Sequence, residues 1–159
     1  MEGEIKVKIK NQVAEIIFHH PKGNSLPSNL LSALIDEIKT LGEENSCAVI
    51  TLTGKGTTFC SGASLNELLT IEDYTQAIDF FSGFGLLIEA IKNCPKFVIA
   101  EVNGKAVGGG VGIIAACDYV LAVESASIKL SELSIGFGPF VIAPSVIRKI
   151  GVSALVLLP

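Results

Sequence analysis

Short apolar segments alternate with longer stretches of helical periodicity along this chain of 159 residues, and that alternation constrains its fold more than any other feature. Residues 13–18, 48–53, 97–102 and 119–123 are apolar enough to form buried strands. Because helical patterns separate them, consecutive strands need crossover connections and lie parallel to one another. The sequence therefore predicts an α/β domain built on a mostly parallel sheet.

Four helices accompany these strands. The first is capped by Ser28, extends to about residue 41 and has Gly42 as its C-terminal glycine. The second covers residues 73–93 and is ended by Pro95. The remaining predicted elements are a strand at 5–9 that forms a hairpin with 13–18, a helix of small residues from the triglycine 108–110 to Cys117, a short strand at 128–130 and a last helix at 141–150.

The composition argues against several classes of function. The net charge is −4 and no basic stripe is present, so we expect no nucleic-acid binding. The acidic N-terminus does not resemble a signal peptide, and no uncharged stretch is long enough for a membrane span. The cysteines lie far apart without a C-x-x-C pair, which favours buried free thiols over a metal site: Cys47, Cys60, Cys94 and Cys117. We therefore expect a cytoplasmic protein without a metal.

Several common catalytic arrangements lack the residues that they need. The histidines, His19 and His20, are adjacent in one loop, and no pattern with serine and aspartate supports a Ser-His-Asp hydrolase. No G-x-x-x-x-G-K-[ST] string occurs, and the triglycine does not match the dinucleotide-binding G-x-G-x-x-G fingerprint. Candidate catalytic residues are therefore expected in the loops that follow the strands.

Two segments rich in small residues follow predicted strands, at 59–65 (FCSGASL) and 103–110 (NGKAVGGG). Ligands bind at the carboxyl ends of strands in open α/β sheets, and small residues let a ligand carbonyl approach the backbone. Gly109 falls in the first turn of a helix, where unpaired N–H groups and the helix dipole favour negative charge. Two N–H groups converging there would form an oxyanion hole. The alternative is that these glycines serve only turns and close packing.

Five segments together resemble motifs of the enoyl-CoA hydratase/isomerase (crotonase) family, in the family's order and over nearly the whole chain. The stretches 108–114, 130–132 and 138–144 look closest to the methylglutaconyl-CoA and carboxygeranoyl-CoA hydratase branch. The matching segments are 20–26 to H-P-x-x-N-A-L, 59–65 to F-x-A-G-A-D-L, 95–104 to K-P-x-I-A-x-x-N-G, 108–118 to G-G-G followed by A-C-D, and 131–136 to P-E-x-x-x-G.

The resemblance implies a spiral of ββα turns as one domain over residues 1–159. It also implies an acyl-CoA thioester as substrate and a homo-oligomer, either a trimer or a hexamer. No separate cofactor is implied, because coenzyme A is part of the substrate. Family domains usually continue for about another hundred residues, as one domain of ordinary size. We therefore expect a crotonase-like core that lacks the usual C-terminal helical region.

The same resemblance implies oxyanion-hole N–H donors at Ala63 and Gly109 and a catalytic carboxylate at Glu132. Many family hydratases carry a second glutamate where this chain has Gly112. The expected function is therefore an enoyl-CoA hydratase, a lyase, with one glutamate. An isomerase, a catalytically inactive acyl-CoA-binding member and an unrelated β/α domain remain alternatives. The implied substrate-binding residues are Leu26, Ser61, Ala63, Ser64, Leu65, Asn66, Gly108 and Gly109.

Overall fold

The computed structural model describes residues 3–157, without the side chains of Leu133 and Ile135. The described residues form eight strands, five α-helices and one 3-10 turn. In chain order they are β1 (Glu4–Lys10), β2 (Val13–His19), α1 (Ser28–Glu43), β3 (Val49–Gly54), β4 (Thr58–Cys60), α2 (Leu65–Leu68), α3 (Tyr74–Lys92), β5 (Phe97–Val102), β6 (Lys105–Val107), α4 (Gly109–Ala116), β7 (Tyr119–Ala122), β8 (Ile128–Lys129), the 3-10 turn Glu132–Ile135 and α5 (Ala143–Leu155).

The larger sheet has five strands in the order β1-β2-β3-β5-β7. Only β1 is antiparallel to its neighbour, and the other pairs are parallel, as the alternation of strands and helices predicted. Strand β2 shows why one face is inside, because Ala14, Ile16 and Phe18 are buried while the residues between them are partly exposed. This sheet supplies much of the core and holds the carboxyl ends of its parallel strands at one edge.

A second, smaller sheet of parallel strands, in the order β4-β6-β8, was not predicted. Each of its strands follows a strand of the larger sheet, so β3–β4–α3, β5–β6–α4 and β7–β8–α5 are successive ββα units. Asn103 fixes one of the connecting turns, since its side-chain amide donates to the carbonyl oxygens of Gly54 and Gly56 at 2.6 Å each. The succession of ββα units agrees with the predicted spiral.

Glycines within helices allow close packing and do not end the helices. Gly42 was predicted as the C-terminal glycine of α1, and that was wrong, because α1 continues to Glu43 and Gly42 is buried. A β-carbon added to Gly42 would lie 3.2 Å from Cδ of Pro95. Gly83 lies inside α3, and there a β-carbon would meet Leu31 of α1 at 2.8 Å. The two helices therefore pack closely because this position has no side chain.

The cysteines have the expected character of free thiols, although they differ in burial. Cys47, Cys60 and Cys117 are buried, whereas Cys94 is partly exposed. Burial raises the pKa of the Cys60 and Cys117 thiols to about 12. Among residues 3–157, no three His, Cys, Asp or Glu side chains form a group that could hold a metal ion. No helix in the same range has the length and apolar character needed to cross a bilayer.

Candidate active site

The two segments of small residues meet at the carboxyl ends of neighbouring strands. Strand β4 leads into residues 61–64, and β6 leads through Gly108 into α4. Because β4 and β6 are paired in parallel, both segments leave the small sheet at the same edge. A β-carbon added to Gly62 would lie 3.1 Å from the carbonyl oxygen of Val107 and 3.6 Å from the amide nitrogen of Gly109. The backbones of the two segments are therefore in direct contact.

The amide groups of Ala63 and Gly109 differ from those around them in their hydrogen bonding. The N–H of Gly62 donates to the sulfur of Cys60 at 3.4 Å, and the N–H of Gly108 donates to the carbonyl of Lys129 at 2.9 Å. Within the described residues, the N–H groups of Ala63 and Gly109 donate to no protein group. Gly109 is the first residue of α4, where the missing helical acceptor is expected. Two unused donors thus lie on adjoining segments.

Glu132 is placed against this turn by strand β8. The hydrogen bond from Gly108 N–H to Lys129 fixes the end of β8 beside β6, and Glu132 begins the 3-10 turn that follows. A β-carbon added to Gly108 would lie 3.1 Å from Oε1 of Glu132. Oε2 of Glu132 is buried, and it has no hydrogen-bond partner among the described residues. The structure thus brings the carboxylate of Glu132, one oxygen of which is unpaired within the described residues, close to the residue that precedes Gly109.

Apolar side chains close one flank of α4. Ring atoms of Phe84 lie 2.3–2.5 Å from the position that a β-carbon on Gly109 would take. One turn further along α4, a β-carbon on Gly112 would meet Ile142 at 2.5 Å and Ile88 at 3.0 Å. No side chain fits at either glycine without moving these neighbours. Sequence reasoning did not find Phe84 or Ile142, because their contacts with α4 span long separations in the chain.

The residues expected to bind substrate near Ala63 lie in different environments. Leu26 pairs with Ala63 through an isolated parallel bridge, yet its side chain is fully buried in the core. The hydroxyl of Ser61 donates to the carbonyl of Lys22 at 3.1 Å. Ser64 is buried and caps α2, since its hydroxyl accepts from the N–H of Glu67 at 3.3 Å. The next two residues, Leu65 and Asn66, are exposed beside them.

A buried asparagine holds the loop that carries Leu26. Asn24 is only 2% exposed, and its amide group donates to the carbonyls of Lys55 and Thr58 at 2.9 and 2.6 Å. Its side-chain oxygen accepts from the backbone N–H of His20 at 3.0 Å. Asn24 also has a φ of 56°, a left-handed conformation that asparagine tolerates better than most residues. The sequence assigned Asn24 no role, although its place between a histidine-proline pair and Leu26 was a signal.

An open apolar groove of about 490 Å³ lies along the outer face of α3. Its lining includes Phe81, Leu86 and Val141 but not Ala63, Gly109 or Glu132. Gly85 and Val141 are the sequence neighbours of Phe84 and Ile142, so the groove lies beside the apolar flank of α4. The amides of Ala63 and Gly109 and the carboxylate of Glu132, which are unpaired within the described residues, therefore lie outside this groove.

Comparison with known proteins identifies the family to which this fold belongs. The model of the enoyl-CoA hydratase/isomerase family matches residues 8–156 of the chain. The chain belongs to that family. This family member is 39% identical over 132 residues to the enoyl-CoA hydratase AKT6-1 of Alternaria alternata, which covers 83% of the chain and 43% of that relative. It is 30% identical over 152 residues to a putative enoyl-CoA hydratase of Thermus thermophilus, covering 91% of the chain and 58% of the relative.

Solved structures confirm the predicted fold class of this family member. An enoyl-CoA hydratase from Bacillus anthracis superposes with a TM-score of 0.90 at 32% sequence identity, over 97% of the chain and 61% of that structure. A putative enoyl-CoA hydratase/isomerase (crotonase) from Legionella pneumophila gives the same TM-score at 29% identity, with the same coverage of both chains. The chain thus spans about half the length of the curated relatives quoted above, and somewhat more of the solved structures.

Proposed function

We propose that this site acts on acyl-CoA thioesters, and that its reaction is the hydration of an enoyl-CoA. In this proposal the thioester oxygen accepts hydrogen bonds from the N–H groups of Ala63 and Gly109. The observation that carries it is that both donors are unused within the described residues and lie on segments in contact. The two segments come from different ββα units, so the fold itself brings the donors together.

The two N–H groups stabilise the transition state most strongly when the thioester oxygen becomes negatively charged. Addition to the double bond turns the thioester carbonyl into an enolate, whose oxygen carries the developing charge. Gly109 begins an α-helix of eight residues, so the positive end of its dipole is directed at that oxygen. One donor in an oxyanion hole contributes about 2.7–4 kcal/mol to transition-state stabilisation in measured cases. Donors that are already in place need no rearrangement during the reaction.

Glu132 is proposed as the acid/base group of this reaction. Its Oε2 is buried without a partner among residues 3–157, so it is available to take a proton from water and to return it to the substrate. The carboxylate approaches Gly108, next to the proposed oxygen site, and can therefore reach the α and β carbons that follow a bound carbonyl. Residues 61–66, with the backbone of Leu26, would then line the coenzyme A arm.

Double-bond isomerisation is the second candidate, and the apolar flank favours it. A single base can move a proton between two carbons, and Phe84, Ile88 and Ile142 leave no room for a second acid on their side of α4. A catalytically inactive acyl-CoA-binding protein is the third reading. The homo-oligomeric state and the cytoplasmic location stay predictions, the first from the family resemblance and the second from the sequence.

Binding and turnover test these readings separately. Titration calorimetry should show binding of an acyl-CoA thioester and weaker binding of the S-alkyl-CoA thioether, which has no carbonyl oxygen for the two amides. Glu132→Gln should keep the binding and lower turnover of enoyl-CoA by at least about a hundredfold, whereas Glu124→Gln, an exposed control, should not.

Each result has a different meaning for the proposal. Full turnover by Glu132→Gln would show that the glutamate was assigned wrongly. Equal affinity for thioester and thioether would remove the role of the Ala63 and Gly109 amides. Tight thioester binding without a product in either a hydration or an isomerisation assay would identify the inactive, acyl-CoA-binding form.

A further inference from the structure

The start of α4 has an apolar flank and a polar side. On the flank, Phe84 packs on Gly109, and Ile88 and Ile142 pack on Gly112. Phe84, Ile88 and Ile142 are all buried, between 3% and 6% exposed. A water molecule held for reaction needs two or more polar partners, and these side chains supply none. If a water molecule attacks a bound acyl group at this site, the groups that hold that water must lie on the polar side of α4.

The polar side lies above Gly108. A β-carbon added to Gly108 would have Oε1 of Glu132 at 3.1 Å and the hydroxyl oxygen of Ser131 at 3.5 Å. The two side chains therefore face the same small space beside the proposed oxygen site. Gly108 has a φ of 53°, so that a side chain is disfavoured there both by the backbone conformation and by these oxygens.

Within the described residues the Ser131 hydroxyl is uncommitted, unlike the hydroxyls of Ser61 and Ser64 near Ala63. Ser61 donates to the carbonyl of Lys22, and Ser64 is engaged as the cap of α2. Within the described part of the chain, the hydroxyl of Ser131 has no hydrogen bond to a protein group. Its backbone is nevertheless fixed, because the carbonyl of Ser131 accepts from the N–H of Ser134 at 3.1 Å. Ser131 is thus a free donor and acceptor on an ordered turn.

We propose that Ser131 and Glu132 together hold the water molecule that attacks the enoyl group, an inference that rests on the function proposed above. The Glu132 carboxylate, whose Oε1 faces the same space as the Ser131 hydroxyl, accepts one hydrogen of that water, and the Ser131 hydroxyl donates to its oxygen. The water oxygen forms a bond to the β carbon, its proton passes to Glu132, and the π electrons move into the thioester as an enolate. Glu132 then returns the proton to the α carbon, which restores the carboxylate and completes the addition of one water.

This assignment separates two reactions that share Glu132. Hydration needs the water molecule that Ser131 and Glu132 hold. Exchange of an α proton of a saturated acyl-CoA with solvent deuterium needs only the two amides that bind the thioester oxygen and the carboxylate of Glu132. Ser131→Ala should lower the hydration kcat by about tenfold or more, the rate equivalent of one hydrogen bond made in the transition state. In Ser131→Ala the rate of α-proton exchange should stay within about twofold of the wild-type rate. The Ser131→Thr variant, which keeps a hydroxyl, should recover hydration. Ser134→Ala, on the same turn and exposed, is the matched control.

The possible outcomes distinguish this inference from the proposed function. Equal losses of hydration and exchange in Ser131→Ala would show a structural role and overturn the inference. Unchanged hydration in Ser131→Ala would also overturn the inference. A wild-type protein that exchanges α protons but hydrates nothing would overturn it too, although the proposal of an acyl-CoA site would stand in both cases. If the wild type binds acyl-CoA yet neither exchanges nor hydrates, or does not bind it, the proposed function fails and takes this inference with it.

Discussion

Removing the Asn24 side chain should destabilise the protein more than its loop position suggests. The amide donates to the carbonyls of Lys55 and Thr58, and its oxygen accepts from the backbone N–H of His20. The two bonds donated by the amide join the loop before α1 to the turn between β3 and β4, two segments that are about thirty residues apart in sequence. In Asn24→Ala all three backbone groups lose their partner at once, and Asn24 is only 2% exposed.

The magnitude follows from the number of bonds and from the backbone conformation. A typical protein hydrogen bond contributes about 1 kcal/mol net, so the three bonds together account for about 3 kcal/mol. Alanine at a φ of 56° adds a left-handed penalty of about 1 kcal/mol, which asparagine largely avoids. We therefore expect Asn24→Ala to lower the free energy of unfolding by about 4 kcal/mol, and Asn24→Gly, which has no such penalty, by about 3 kcal/mol.

Urea unfolding followed by circular dichroism measures both changes. Asn29→Ala is the matched control, since Asn29 is exposed and its side-chain oxygen accepts only from the neighbouring N–H of Leu30. That variant should differ from the wild type by less than about 0.5 kcal/mol. A loss below about 1 kcal/mol in both Asn24 variants would refute the reasoning, because it would mean that water replaces these bonds at little cost.

Contacts at Gly112, His20 and Cys60 lead to three more predictions. Gly112→Ala should lower the free energy of urea unfolding by about 2 kcal/mol, because its β-carbon would meet Ile142 at 2.5 Å; Gly85→Ala in α3, with 3.5 Å to its nearest neighbour, should not. Burial lowers the pKa of His20, so the unfolded chain binds a proton at a higher pH than the folded chain does. The free energy of unfolding should therefore fall as the pH drops below about 6.5, and a His20→Gln variant that keeps this decline would contradict the assignment to His20. Because burial raises the pKa of the Cys60 thiol to about 12, a thiol reagent at about pH 8 should modify Cys60 only after unfolding, as peptide mapping would show.

The larger sheet could be predicted because its strands carry their own signal. Strands β2, β3 and β5 have six or seven residues each, enough for an apolar pattern to be recognised. Strands β4 and β6 have only three residues each and no pattern of that kind, whereas β8 falls within the short strand predicted at 128–130. Strands β4 and β6 exist because parallel neighbours from other ββα units pair with them, and such long-range pairing leaves no local trace in the sequence.

Candidate site residues could be found by their type, but their surroundings could not. The glycines near α4 and the carboxylate of Glu132 were singled out from the sequence, and their roles stay predictions. Leu26 was expected to bind substrate, yet its side chain is fully buried and only its backbone reaches the segment of Ala63. The packing of Phe84 on Gly109 joins residues 25 positions apart. Packing of this kind depends on how α3 crosses α4, which no local pattern specifies.

Three glycines at the start of α4 act through different physical effects, and together they decide where polar chemistry can occur. The positive φ of Gly108 turns the chain out of β6 and lets the oxygens of Ser131 and Glu132 approach. Gly109 has no side chain, so Phe84 can pack against this residue, whose amide donates to no protein group within the described residues. A hydrogen bond on such a dry flank is electrostatically stronger than one in water. Because Ile142 fills the space at Gly112 as well, apolar side chains cover α4 at both glycines on this flank, while the carboxylate of Glu132 lies on the side of Gly108.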